Sequence, residues 1–372
     1  MSDLERIDRR DFIRVLASAG ACALLAGCDE EPAERPASGR PVSGRPGSGR
    51  TAFLYHPVFL EHDTGMAHPE KPQRLTSIVN QLKEDALWKK LMHVEPKPAA
   101  VDTVALVHDR AYIDLAAKEI KQGQRRLSTG DTTVSAKSWE AALVAAGAAV
   151  TACDLVAAGK CRNAFCAVRP PGHHARPRKG GMGFCVFNNL AIAVRRAQKK
   201  HGLRRALVVD WDVHHGNGTQ DAFWSDGSVL SFHTQRRGIY PGTGLEDERG
   251  EGKGLGLTMN FPLPRGSGNE VFERLYAKEL VPAAKRFRPE IIFVSAGYDS
   301  HKDDPLGDLA LDESGFARLT AILTRLADDL CEGRLVVVLE GGYDLDATAR
   351  SASGTVKQLL AASGAAASAG RS

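Results

Sequence analysis

From Thr51 onward the chain alternates short runs of Val, Ile, Leu, Phe and Ala with longer stretches of helical periodicity, and few architectures accommodate that pattern. The strand candidates are Ala52–Tyr55, Ala164–Val168, Ala206–Trp211, Val229–His233, Leu257–Phe261, Ile291–Ala296 and Leu335–Leu339. The main helix candidates are Trp139–Ala158, Asn189–His201, Asn269–Phe287 and Glu313–Cys331. Near-continuous apolar runs suit strands covered on both faces. Such strands separated by helices predict an α/β domain with a mostly parallel sheet between helical layers. No linker interrupts the pattern, so residues 51–365 read as one domain, and the Ala/Ser/Gly-rich end is expected to fray after Ala361, leaving 366–372 as a tail. A chain of 372 residues, 43% of them hydrophobic, is long enough to bury such a core. Its 49 basic and 45 acidic residues are mixed along the chain, which argues against a nucleic-acid partner.

In a parallel sheet the loops beyond the carboxyl ends of the strands carry function, and here they hold the unusual residues. After the run 206–209 comes Asp210-Trp211-Asp212-Val213-His214, in which Asp210, Asp212 and His214 would share one side of an extended segment. After 291–296 comes Gly297-Tyr298-Asp299. Asp212, His214 and Asp299 could therefore meet above the sheet as a three-ligand metal site with room for water and substrate. Zinc suits such an open site, and Asp/His ligation without thiolate also admits Fe²⁺ or Co²⁺. The loop after 164–168 offers His173-His174, imidazoles that titrate near neutrality. The loop after 335–339 ends in Tyr343, a donor for an oxyanion.

The first fifty residues differ. Arg9-Arg10 precedes an apolar run, Val15 to Gly27, too short to span a membrane but suited to a signal h-region. Leu25-Ala26-Gly27-Cys28 resembles a bacterial lipobox, so residues 1–28 are expected to be a twin-arginine signal with lipidation of Cys28. Residues 29–50, with three Ser-Gly-Arg triplets, read as a flexible tether. The expected location is periplasmic, with the lipid on Cys28 as the only membrane attachment. Beyond Cys22 and Cys28 five cysteines remain, an odd number without a CxxC pair, which excludes a thiolate zinc knuckle and a full disulfide framework.

Together RPPGHHA, GMGFCVFNN, DWDVHHGNGTQ, SFHTQRRGIYPGTG, SAGYDSHKDDPLG and LEGGYDL resemble the histone deacetylase family, over roughly residues 52–360. The resemblance implies the three-layer arginase–deacetylase fold, with about eight strands in its sheet. It assigns Asp212, His214 and Asp299 to zinc, and His174 as the general base that activates water and then protonates the leaving amine. His173 matches the neighbouring electrostatic histidine. Asp210 is expected to bind His173, and Asn217, where many relatives carry Asp, to bind His174. Tyr343 matches the tyrosine that polarises the acyl carbonyl. Asp210, Ser231 and Phe232 match a structural K⁺ site. Phe184 matches one wall of the substrate tunnel, with the opposite wall left open, and Asp131 matches the rim aspartate that holds the substrate backbone. Leu306 stands where polyamine-specific relatives place Glu, and an apolar side chain cannot attract a cationic amine.

The expected activity is therefore zinc-dependent removal of acetyl or related acyl groups from primary amines such as acetyl-lysine. Acetylpolyamine hydrolysis is the alternative, and an anchored acyl-ligand binding protein without catalysis is a third reading. A binuclear manganese ureohydrolase on the same fold fits less well, because His173-His174 and Tyr343 suit a single metal.

Overall fold

A computed structural model describes residues 49–369. The expected export signal, Cys28 and most of the expected tether lie outside the described residues. Eight strands form one sheet: β1 (Thr51–Leu54), β2 (Met92–Val94), β3 (Asn163–Cys166), β4 (Ala206–Asp210), β5 (Val229–Arg236), β6 (Thr258–Leu263), β7 (Ile291–Ala296) and β8 (Leu335–Leu339). Their order is β2-β1-β3-β8-β7-β4-β5-β6, and every neighbouring pair is parallel. β1, β3, β4, β7 and β8 are buried at every position, as their predominantly apolar sequences suit.

Besides the single turn Val101–Val104, the α-helices are α1 (Gln73–Glu84), α2 (Arg110–Lys121), α3 (Ser138–Ala157), α4 (Asn189–His201), α5 (Asn217–Phe223), α6, α7 (Glu313–Cys331) and α8 (Leu345–Ala369). α3 packs on α4, while α8 packs on both α1 and α7. α6 has three parts, Asn269–Leu275, a π turn Tyr276–Leu280 and Val281–Phe287. Pro282 has no N–H to give an α-helical bond, and the π turn precedes it, so the expected continuous helix is locally wider there. α8 continues past Ala361, where fraying was expected. Alanine is the strongest helix former, and Ser363 is buried, its hydroxyl 3.0 Å from that of Thr51. The alanine-rich α3 is long and apolar enough to cross a membrane by composition, yet most of it is buried in the domain.

Candidate metal centre and active site

β3, β8, β7 and β4 lie side by side at the middle of the sheet. In register Cys166 pairs with Val338, Val338 with Ser295, and Ser295 with Asp210, so the four strands end at one level. Their following loops, 169–175, 340–343, 297–299 and 211–217, converge there. The expected extended run through Asp210, Asp212 and His214 does not form, because β4 ends at Asp210. Asp210 Oδ1 accepts the Asp212 N–H at 3.1 Å and Asp212 Oδ1 accepts the His214 N–H at 2.9 Å. These carboxylates fold the segment back on itself. Asp210 consequently turns to His173, and Asp212 and His214 to Asp299.

Ligand atoms of Asp212, His214 and Asp299 all lie within 4.8 Å of one another. His214 Nδ1 is 3.1 Å from Asp212 Oδ1 and 3.1 Å from Asp299 Oδ2. Both carboxylates are buried, and the Val213 and Gly341 N–H groups bind their other oxygens at 2.9 Å. Burial, then the charge of Asp212, pushes Asp299 up to about 7. Burial works against a charged His214, but hydrogen bonds to Asp212 and Asp299 hold it up at about 10. Two desolvated carboxylates beside one imidazole form a pocket whose chemistry calls for a cation, so the donor set fits a divalent metal. The backbone leaves room for it: a Cβ on Gly341 would fall 2.1 Å from Asp299 Oδ2 and 2.7 Å from Asp212 Oδ2.

His173 and His174 lie beside this cluster, each 3% exposed. His173 Nδ1 is 3.0 Å from Asp210 Oδ2, and its Nε2 is 3.8 Å from Asp212 Oδ2. Although burial opposes it, Asp212, Asp210 and Glu340 hold His173 well above the usual imidazole range. His174 Nδ1 faces the neutral amide of Asn217 at 2.9 Å. Burial, then the imidazoles of His173 and His214, holds it well below that range. Gly183, with φ 56°, admits the His174 ring; a Cβ there would lie 2.2 Å from Cδ2.

Tyr343 is 8% exposed, and burial, then Asp299 and Asp212, raises its pKa, so its hydroxyl remains a donor. Its support comes from residues the sequence did not single out. Asp304 Oδ2 accepts the Tyr343 N–H at 2.6 Å and the Asp344 N–H at 3.2 Å. Arg74 donates to the carbonyls of Gly342, at 2.6 Å, and of Glu340, and its guanidinium lies 5.2 Å from the centre of the Tyr343 ring. Arg74 also pairs with buried Glu70 at 3.0 Å, and Glu70 in turn binds Arg169 at 2.5 and 2.8 Å. Glu340 Oε2 accepts the Gly172 and His173 N–H groups at 2.6 and 3.1 Å.

Aromatic rings stand around this centre. Phe184, expected as a wall of the substrate tunnel, lies edge-on to Tyr343 at 6.0 Å and to His68 at 4.6 Å, with its backbone left-handed at φ 67°. Tyr240, which the sequence did not single out, lies edge-on to His174 at 5.2 Å and to His214 at 6.2 Å. Asp131, expected at the rim, accepts hydrogen bonds from the Gly183 N–H and the Tyr240 hydroxyl. Leu306 is 43% exposed on the loop that Asp304 ties to Tyr343. Ser231 and Phe232 are buried on β5, against Val208 and Val209 of β4.

The fold and site define an α/β protein of the arginase–deacetylase superfamily with a candidate metal centre. The histone deacetylase domain family matches residues 68–359, and the chain belongs to it. It is 39% identical to a probable deacetylase of Archaeoglobus fulgidus over 80% of this chain and 82% of that one. It is 38% identical to the polyamine deacetylase HDAC10 of Homo sapiens over 83% of this chain and 48% of that one. The crystal structure of the HDA15 HD domain superposes with a TM-score of 0.79 at 33% identity, covering 84% of this chain and 90% of that chain. Membership of this family implies a divalent metal.

Proposed function

We propose that the protein is a zinc-dependent amidohydrolase that removes acetyl or related acyl groups from primary amines, acetyl-lysine side chains among them. The observation that carries this reading is the convergence of a three-ligand cation pocket, a neutral buried His174 and a protonated Tyr343 on one spot. A zinc ion held by Asp212, His214 and Asp299 would polarise the amide carbonyl and bring the pKa of a water beside it to about 7; Fe²⁺ or Co²⁺ could substitute. His174 keeps its Nδ1–H on Asn217, which leaves Nε2 free to take the proton of the attacking water and return it to the departing amine. Tyr343 donates its hydroxyl to the oxyanion that develops on the carbonyl oxygen. His173, charged between Asp210 and Asp212, adds a positive field and discourages protonation of its neighbour. A K⁺ ion beside Asp210, Ser231 and Phe232 would temper that carboxylate.

Leu306, exposed on the loop that Asp304 ties to Tyr343, favours acyl-lysine in a peptide over an acylated polyamine, since it offers no charge to a second ammonium. The alternative substrate is that named by the human relative. On zinc-loaded full-length protein, kcat/KM is expected to be higher for acetyl-lysine peptides than for acetylated polyamines. A preference for polyamines in the same panel would reverse the assignment. His174→Ala is expected to lower kcat by ~10²–10⁴-fold with zinc content retained; full turnover would refute the role given to His174.

A further inference from the structure

Asp131 joins the segment that carries Phe184 to Tyr240, the two rings between which the proposed substrate channel would run. One oxygen, Oδ1, accepts both the Gly183 N–H at 2.6 Å and the Tyr240 hydroxyl at 3.2 Å. Gly183 immediately precedes Phe184, so the first bond holds the Phe184 wall, and the second holds the Tyr240 wall. The Phe184 side is also stitched to the strip around Asp131. Thr129 Oγ1 donates to Gly181 O at 2.8 Å and Thr132 Oγ1 to Cys185 O at 2.9 Å. Among the described side-chain hydrogen bonds, Tyr240 has Asp131 as its partner on that strip. Burial, then the Asp131 charge, raises the Tyr240 pKa, so the phenol stays a donor through the neutral range. A phenylalanine would present the same ring face to His174 but could not make the bridge.

We propose that the Tyr240 hydroxyl is a positioning group that, through Asp131, fixes the spacing of the Phe184 and Tyr240 walls and restricts the channel to acyl amines on a straight, unbranched stem. The inference rests on the amide-hydrolase reading above and narrows its substrate class. An unbridged ring is free to swing outward, which loosens contact with a straight stem and admits a branched one.

The test is Tyr240→Phe in the full-length, zinc-loaded protein. The substrates are an acetyl-lysine peptide and the same peptide with a methyl branch on the stem next to the amide nitrogen. Losing one hydrogen bond to a carboxylate is expected to raise KM for the straight substrate roughly three- to tenfold, with a smaller change in kcat. The preference for straight over branched should fall by a similar factor. In an Asp131→Ala background Tyr240→Phe should change that preference no further, because the bridge is already gone. An equal loss in both backgrounds, or an unaltered preference, overturns the proposal. Amide hydrogen exchange over residues 180–184 supplies a readout free of turnover. Faster exchange in Tyr240→Phe supports the bridge even if the native protein hydrolyses none of the acyl amines, a result that sinks only the hydrolase reading. Unchanged exchange sinks the bridge whatever the activity.

Discussion

His173 and His174 are adjacent in sequence, with ring centres 4.0 Å apart, and their surroundings drive them in opposite directions. A carboxylate faces the first and an amide the second, so one imidazole is held as a cation and the other as a base. The residues that meet at the centre were legible in the sequence because polar groups directly after apolar strands have few other reasons to be there. Asp212 and His214 reach it by a tight turn instead of the expected extension, since the Asp210 and Asp212 side chains capture the backbone N–H groups that follow. Arg74, Glu70, Asp304 and Tyr240 were not legible as site residues. A charged residue on a helix ordinarily reads as a solvated face, and only the fold brings Arg74 to Gly342. Arg74 holds two carbonyls of the Tyr343 loop, so Arg74→Met is expected to lower kcat by ~10²-fold, the scale of a small misplacement of a reacting group. Lysine should not rescue it, because a point ammonium cannot reproduce the planar fork. Steady-state kinetics alongside thermal unfolding check this: a loss of kcat no greater than the loss of folded protein would contradict it.

Among the elements, the seven strands expected from apolar runs all form, with ends displaced by a few residues. β2 escaped notice because three residues, Met92–Val94, at an edge of the sheet are too few to set a period. α1 and α2 were not singled out either, and α1 matters most to the site because it carries Arg74. Glu70, just before α1, binds Arg169 after β3 and Arg74 within α1, so one carboxylate fastens the helix to the centre of the sheet. Burial alone would raise its pKa, but Arg169, then Arg74, overcome that and hold it at about 2, against 4.5 when unfolded. The folded state therefore binds this proton less readily than the unfolded chain. The resulting stability is complete above pH 4.5 and lost as pH falls toward about 2. Glu70→Gln leaves buried guanidinium groups without their anion and should cost ~3–5 kcal/mol at neutral pH. Urea unfolding at pH 7 and near the lower end of that window should show the gap between native and variant proteins narrowing in acid. A gap that stays constant or widens would show that Glu70 is not the group responsible.

For the whole molecule, the five cysteines of the described domain are all buried and unpaired. Burial pushes the Cys153, Cys161 and Cys331 thiols up to about 12, which makes them unreactive. A domain whose described cysteines form no disulfide can complete its fold in a reducing compartment. If Cys28 is lipidated as its lipobox-like sequence leads one to expect, Cys28→Ala moves the protein from the membrane to the soluble fraction of a fractionated cell; an unchanged partition would rule that anchor out. The sheet's polarity then has a consequence for how an anchored molecule would be presented. Because all eight strands run the same way, the catalytic loops gather at one pole, and the chain enters β1 at Thr51 on the other. Any carrier joined to the chain just before Thr51 would therefore meet the domain at the pole opposite Asp212, His214 and Asp299, and stand clear of the loops that hold them.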